Sequence, residues 1–197
     1  MKKLIATIGF LAAIIGAGFF AYETFRHKPV HGIIVLDYDK QKIDSKLAQL
    51  DKDAKKVQVE GKWQDDNHVL VLSKEEAEKL TTLKALNKVT TKKDNFLFEP
   101  LTQLPDQLPM LFSKDSAVTI TNDAGETITP KQTEYVVLGD SSMFVSHILV
   151  TDTADYQKFQ TAPTIYVAAI RSDEDASKAI TDYKDLKIQQ MYNPDNQ

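Results

Sequence analysis

Four stretches of this sequence are apolar at nearly every position, and they restrict the available folds more than any other feature. They are Gly32-Ile33-Ile34-Val35-Leu36, Val69-Leu70-Val71-Leu72, His147-Ile148-Leu149-Val150 and Thr164-Ile165-Tyr166-Val167-Ala168-Ala169-Ile170. Runs this short and this rich in β-branched residues read as strands, and a strand apolar on both sides needs cover on both faces. Each run leads through a polar turn into a short helical pattern. Ile43, Leu47, Leu50 and Ala54 form the first stripe, and Ala77, Leu80 and Leu83 the second. Tyr156 and Phe159 mark the third, and Ala176, Ala179, Ile180 and Tyr183 the fourth. Ser73 followed by Glu76 is a capping box that starts the second helix.

With Val57-Gln58-Val59 and Lys88-Val89-Thr90 as further strands, residues 32–91 run strand, helix, strand, strand, helix, strand. That order predicts an α+β fold whose first lobe, residues 30–91, is a ferredoxin-like βαββαβ unit. Residues 92–117, cut by Pro100, Pro105 and Pro109, read as a connector, since each proline removes a ladder donor. Residues 118–188 form a second lobe with a mixed sheet and two short helices; in it Asn122-Asp123-Ala124-Gly125 signals a hairpin turn. Residues 189–197 are polar and are expected to be a disordered tail.

The amino-terminal segment, residues 1–28, sets location. From Leu4 to Tyr22 no residue is charged, and as a helix this stretch rises about 28 Å, close to a bilayer's hydrocarbon thickness. The expectation is a single-pass transmembrane signal-anchor with its amino terminus in the cytoplasm and the body extracytoplasmic, at the cell membrane. A cleaved signal peptide is the alternative; its small-residue pair would be Gly16 and Gly18, although Phe19 and Phe20 prolong the apolar run. The segment holds four of the 24 basic groups (Lys2, Lys3, Arg26, Lys28) and one of the 28 acids (Glu23), leaving the rest a net charge of about −7. So acidic a body is a poor ligand for phosphate backbones, and no nucleic-acid partner is expected. Cysteine is absent, which excludes disulfides, thiolate nucleophiles and Cys-based metal sites.

No constellation reaches a catalytic or cofactor signature, so no catalytic, cofactor-binding or metal residue is assigned and no cofactor is expected. Three patterns still invite chemistry. Val136-Val137-Leu138-Gly139-Asp140-Ser141-Ser142 looks like the Gly-Asp-Ser block of a family of serine esterases and lipases, which would make Ser141 a nucleophile. Its only downstream histidine is His147, where the family's preceding Asp is replaced by Phe144. His31, His68 and His147 each begin an apolar strand, and parallel neighbours would gather their rings into a zinc or copper site. Acidic pairs and triplets at Asp37 and Asp39, Asp65 and Asp66, and Asp173, Glu174 and Asp175 read as caps of turns and helices.

Two further features concern partners. Phe96, Leu97, Phe98, Met110, Leu111 and Phe112 make the connector unusually apolar; they either close the core or form an exposed recognition strip. Trp63, the only tryptophan, is either a core residue or an anchor for a partner.

The leader, Gly32-Ile33-Ile34-Val35, Val69-Leu70-Val71-Leu72-Ser73 and Leu138-Gly139-Asp140 together resemble a family of small surface lipoproteins of low-GC Gram-positive bacteria whose function is unknown. The resemblance covers nearly the whole chain. It implies a lipid-bearing cysteine after the leader, where this sequence has Gly16-Ala17-Gly18. A narrower stretch, Ile148-Leu149-Val150-Thr151-Asp152 with Tyr156, Phe159 and Ile165-Tyr166-Val167, looks like extracytoplasmic segments of ABC permeases that sense or export antimicrobial peptides. The reading as a whole is a non-enzymatic binding or accessory module of the cell envelope. Its expected partners are the membrane, through the leader, and either another envelope protein such as a transporter or a cationic peptide. An envelope esterase using Ser141 and a histidine-based metal-binding protein are the competing readings.

Overall fold

The computed structural model describes residues 29–93 and 95–195. The transmembrane segment expected over residues 1–28 lies outside the described residues, among which no helix is long and apolar enough to cross a membrane. In chain order the elements are β1 (Gly32–Asp37), α1 (Lys40–Ala48), β2 (Lys55–Gln64), β3 (Val69–Ser73), α2 (Lys74–Thr82), β4 (Leu86–Lys92) and β5 (Asn95–Pro100). Then come β6 (Met110–Ser113), β7 (Gln132–Glu134), β8 (Val136–Leu138), β9 (His147–Thr151), α3 (Thr153–Tyr156), β10 (Thr164–Arg171), α4 (Ala176–Ala179) and β11 (Ile188–Tyr192). The fold is mixed α+β.

The element order expected for residues 32–91 is present, but the ferredoxin-like sheet is not. One eight-stranded sheet runs β11-β1-β10-β2-β3-β9-β6-β7, and a second, three-stranded sheet runs β5-β4-β8. β10 inserts between β1 and β2, antiparallel to both, while β4 leaves for the small sheet. The large sheet therefore interleaves strands from both expected lobes, and the two-lobed division fails. The cause lies in β10, whose alternate residues are buried on opposite faces: Ile165, Val167 and Ala169 on one, Ala168 and Ile170 on the other. A strand apolar on both faces is stable only in a sheet's interior.

The large sheet is strongly curled. β7 ends at Glu134, and only a few residues later Leu138 O accepts a hydrogen bond from Gln190 Nε2 on β11, at the far edge. Those few residues reach at most about 20 Å, whereas eight flat strands would set the edges roughly 34 Å apart. The concave face holds the largest core cluster. Ile34, Leu36, Val59, Trp63, Leu70, Leu72, Met110, Phe112, Ile148 and Val150 point into it, capped by Ala77 and Leu80 of α2 and by Leu86, Val136 and Leu138 of the small sheet. On the convex face, α1 and residues 176–186 cover Ile33, Val35, Ala168 and Ile170. A second patch there, Val69, Val71, Leu111 and Leu149, lies under Ile120 and Phe159.

Gly61 shows how tight the concave packing is. A Cβ there would come within 2.7 Å of Leu70 Cδ1 and 3.0 Å of the Val71 carbonyl.

The carboxylates behave as helix caps at two of the three acidic clusters. Asp39 accepts from the amides of Gln41 and Lys42 at the start of α1, and Asp175 from Ser177 N at the start of α4. The capping box at α2 closes on one side only. Ser73 Oγ accepts from Glu76 N at 3.3 Å, but the Glu76 carboxylate turns to the Glu60 amide at 3.1 Å and to Lys79.

The expected connector and tail are corrected. The proline-punctuated segment contains two strands, β5 and β6, that belong to different sheets. Met110, Leu111 and Phe112 are fully buried and close the core, while Phe96 and Leu97 are exposed. Residues 189–192, placed at the start of the disordered tail by their polarity, join Ile188 in β11 against β1, with Tyr192 completely buried. The turn at Asn122–Gly125 forms, with Gly125 at a φ of +76°, but its hairpin shrinks to a single bridge, Thr121 to Thr127.

Candidate functional site

The residues singled out for chemistry disperse in part. β1 is three antiparallel steps from β3, so the two strands run in opposite directions and His31 starts at the opposite edge of the sheet from His68. β3 and β9 are parallel, and this does bring His68 and His147 together: the His68 carbonyl accepts from the amides of Ser146 and His147. Among the described residues, no three His, Asp or Glu side chains gather as a metal-binding set. The three-histidine site is thus dismantled by strand direction.

Ser141 lies in the loop after β8, where its Oγ accepts from Met143 N at 3.1 Å. His147 instead engages Ser113 of β6, with Nδ1 at 2.7 Å from Oγ. The one hydrogen of the Ser113 hydroxyl goes to the Asp115 carbonyl at 2.5 Å, while Asp115 N donates back to Oγ at 2.8 Å. This assigns His147 Nδ1 the donor role, the reverse of what a general base needs. Burial holds the His147 imidazole below its ordinary pKa, and His68 adds to that effect while Asp115 opposes it. Asp140, next to Ser141, is pushed above the ordinary carboxylate range by burial, although Asn193 N donates to it. The Gly-Asp-Ser motif is a strand-to-loop turn, with Gly139 at a φ of +67° and a Cβ there brought within 3.0 Å of Gln190 Nε2 and 3.1 Å of Ile34 Cδ1.

A cleft of about 410 Å³ opens beside Trp63, at the end of β2. Its walls are the β2–β3 turn, Asp65 to Asn67, the bridge region from Thr119 to Asp123, and Thr161 with Ala162 before β10. Trp63 forms the floor at 3% exposure. It is a core residue, as the first of its two readings holds, and its Nε1 donates to Asp65 Oδ1 at 2.5 Å. Its ring stacks on His68 at 6.0 Å between centroids. The walls are tied to one another: Gln64 Nε2 donates to Thr121 O at 2.8 Å, and Thr161 donates to Asp123 through both its amide and its hydroxyl, at 2.8 and 2.6 Å. Those two donors from Thr161 hold the Asp123 carboxyl below its usual pKa, so it stays ionised. Asp65, Asp66 and Asp123 thus line one opening, with Lys62 behind it engaged by Thr164 Oγ1.

A larger cleft, about 660 Å³, lies between the end of α1 and residues 181–185. Lys46 lines it, bonded to Asp182 O at 2.6 Å and paired with Asp185 at 2.8 Å, and with Lys184 it offsets part of the charge of Asp51, Glu174, Asp182 and Asp185. The smaller cleft is lined by three carboxylates and by no cation. The sequence singles out Asp65 and Asp66 as turn caps, Trp63 as a core residue or partner anchor and His68 as a candidate metal ligand, but gives Thr119, Thr121, Asp123 and Thr161 no binding role. No local signal marks these four, because only the folding of residues 118–128 and of the segment before β10 onto the β2–β3 end brings them there.

A sequence model of an uncharacterised lipoprotein family matches residues 30–194. The chain belongs to this lipoprotein family. Its fold is similar to that of a crystal structure titled as a candidate lipoprotein from Bacillus anthracis, with a TM-score of 0.64 over 83% of this chain and 98% of that one. Identity between the two is 20%, so this likeness speaks for the fold alone. Among curated proteins no relative matches. Family membership bears out the lipoprotein resemblance carried by the strand and turn motifs; the permease resemblance finds no support in these comparisons. For this lipoprotein-family member the absence of cysteine is the notable departure, because it leaves no thiol to carry a lipid.

Proposed function

We propose that the chain is a non-enzymatic binding module of the cell envelope, held at the membrane by its apolar leader, whose acidic cleft takes a cationic peptide. The observation that carries this reading is the convergence of Asp65, Asp66 and Asp123 on one opening, floored by Trp63, with Asp123 kept ionised by Thr161. Carboxylates of one sign lining a cleft concentrate cations and speed their arrival, and at exposed positions the effect weakens as salt screens it.

The test is titration of the protein with a short Lys- and Arg-rich peptide at rising ionic strength. Binding is expected to fall steeply with salt. Replacing the three acids together, Asp65→Asn, Asp66→Asn and Asp123→Asn, is expected to weaken it roughly tenfold. Salt-independent binding, or an unchanged affinity in the triple variant, would remove the cleft from the reading.

Membership of a lipoprotein family supports an extracytoplasmic body, and the leader takes over the attachment that a lipid would otherwise supply. Protease added to intact cells is expected to digest the domain. If it survives until the cells are lysed, the topology is inverted.

A further inference from the structure

We propose that two copies of this chain pair edge to edge through β5, joining their small sheets into one six-stranded sheet with a twofold axis at Leu97. β5 is the outer strand of the order β5-β4-β8. Its pairing with β4 runs from Lys92↔Asn95 to Asn87↔Pro100, and Leu101 N donates to Leu86 O at 2.8 Å. Hydrogen-bonded and non-bonded pairs alternate along an antiparallel ladder, so Asn95, Leu97 and Glu99 direct their backbone groups at β4. The N–H and C=O groups of Phe96 and Phe98 therefore point away from the sheet.

Natural edges are usually blunted by charge, proline or a bulge. Here the central positions are large and apolar, with Phe96 55% and Leu97 41% exposed, and the only proline stands at the end, at position 100. Successive strand residues face opposite ways, so apolar surface is presented on both faces of the strand. A second copy fits because the edge is electrostatically self-complementary. Lys92, Lys93 and Asp94, a net of one positive charge, precede the strand in the sequence, and Glu99 lies near its other end. Antiparallel pairing brings each Glu99 to the lysine end of its mate, whereas parallel pairing would set like charges together.

A twofold contact is self-complementary by symmetry. With the axis at Leu97, Phe96 of each copy lies opposite Phe98 of the other, and their outward N–H and C=O groups exchange hydrogen bonds. The four phenyl rings share one face, the two Leu97 side chains meet on the other, and Glu99 sits diagonal to Lys93 of the second copy. A lipid surface suits this hairpin less well, because Lys92, Lys93 and Asn95 at its tip would have to enter the hydrocarbon ahead of Phe96.

The chain's lack of cysteine makes the test clean. In full-length protein in its own membranes, Leu97→Cys places the two thiols on the axis. The Cα atoms of a non-bonded antiparallel pair lie about 4.5 Å apart, within disulfide range. Mild oxidation is expected to convert most of the protein to a band of twice the monomer mass, while Met143→Cys, at a site 74% exposed on the β8–β9 loop, stays mainly monomeric. Adding Phe96→Pro removes an outward N–H without touching the ladder to β4, and is expected to suppress the crosslink several-fold. Equal crosslinking at positions 97 and 143, a Leu97→Cys adduct with a different protein, or a crosslink indifferent to Phe96→Pro would each overturn the proposal.

Discussion

A chain ended at Lys187 is expected not to fold, and Tyr192→Ala in the full sequence is expected to cost about 3–5 kcal/mol. Tyr192 is completely buried, and its hydroxyl donates to the Leu83 carbonyl at 2.9 Å, tying β11 to the end of α2. Burial pushes its phenol well above the ordinary tyrosine range. Its ring lies so close to Gly32 that a Cβ there would come within 2.4 Å of Cε1, so β1 was built around this side chain. Removing β11 also bares the backbone edge of β1, whose residues Gly32 to Leu36 are all buried. Against a total stability of roughly 5–15 kcal/mol, either change is severe. Urea unfolding of the chain from Pro29 onward measures it. A shortened chain that unfolds cooperatively at the parent's midpoint would show that β11 is an ornament.

Phe112→Ala is expected to cost about the same, roughly 3–5 kcal/mol, because it empties the middle of the concave core. Phe112 is fully buried on β6, opposite Ile148 of β9 and Glu134 of β7. Its neighbours Met110 and Leu111 are also fully buried, on opposite faces of the strand, so no side can collapse to fill the void without shifting the sheet. Met143→Ala, on an exposed loop residue, should stay within about 0.5 kcal/mol of the parent in the same denaturation series. Equal losses for the two variants would mean that β6 does not sit in the sheet.

Both experiments probe places where local reading and tertiary structure part. Met110-Leu111-Phe112 is three apolar residues after a proline, and nothing within that window separates a core strand from a sticky loop. Phe96-Leu97-Phe98 presents the same local pattern in the same segment, yet its first two residues are exposed at a sheet edge. Ile188-Gln189-Gln190-Met191-Tyr192 has too few apolar residues to announce a strand, because an edge strand needs only Ile188 and Tyr192 to reach the core. The candidate cleft was legible only in part. Asp65 and Asp66 stand out as an acidic turn, whereas Asp123 and Thr161 join them from 57 and 95 residues further on, through contacts that no spacing records.

By itself the sequence determined the local elements: the four apolar runs are strands β1, β3, β9 and β10, the stripes after them are helices or single turns, and Asp39, Ser73, Asp152 and Asp175 open those helices as caps. These depend on contacts within a few residues, where periodicity and capping chemistry suffice. Only the tertiary structure decided which strands are neighbours. It put β10 between β1 and β2, sent β4 to a second sheet, and set His31 at the opposite edge from His68 and His147. Strand order is fixed by which side chains fill one another's gaps across the curled sheet, a property of the assembled core that no single segment carries.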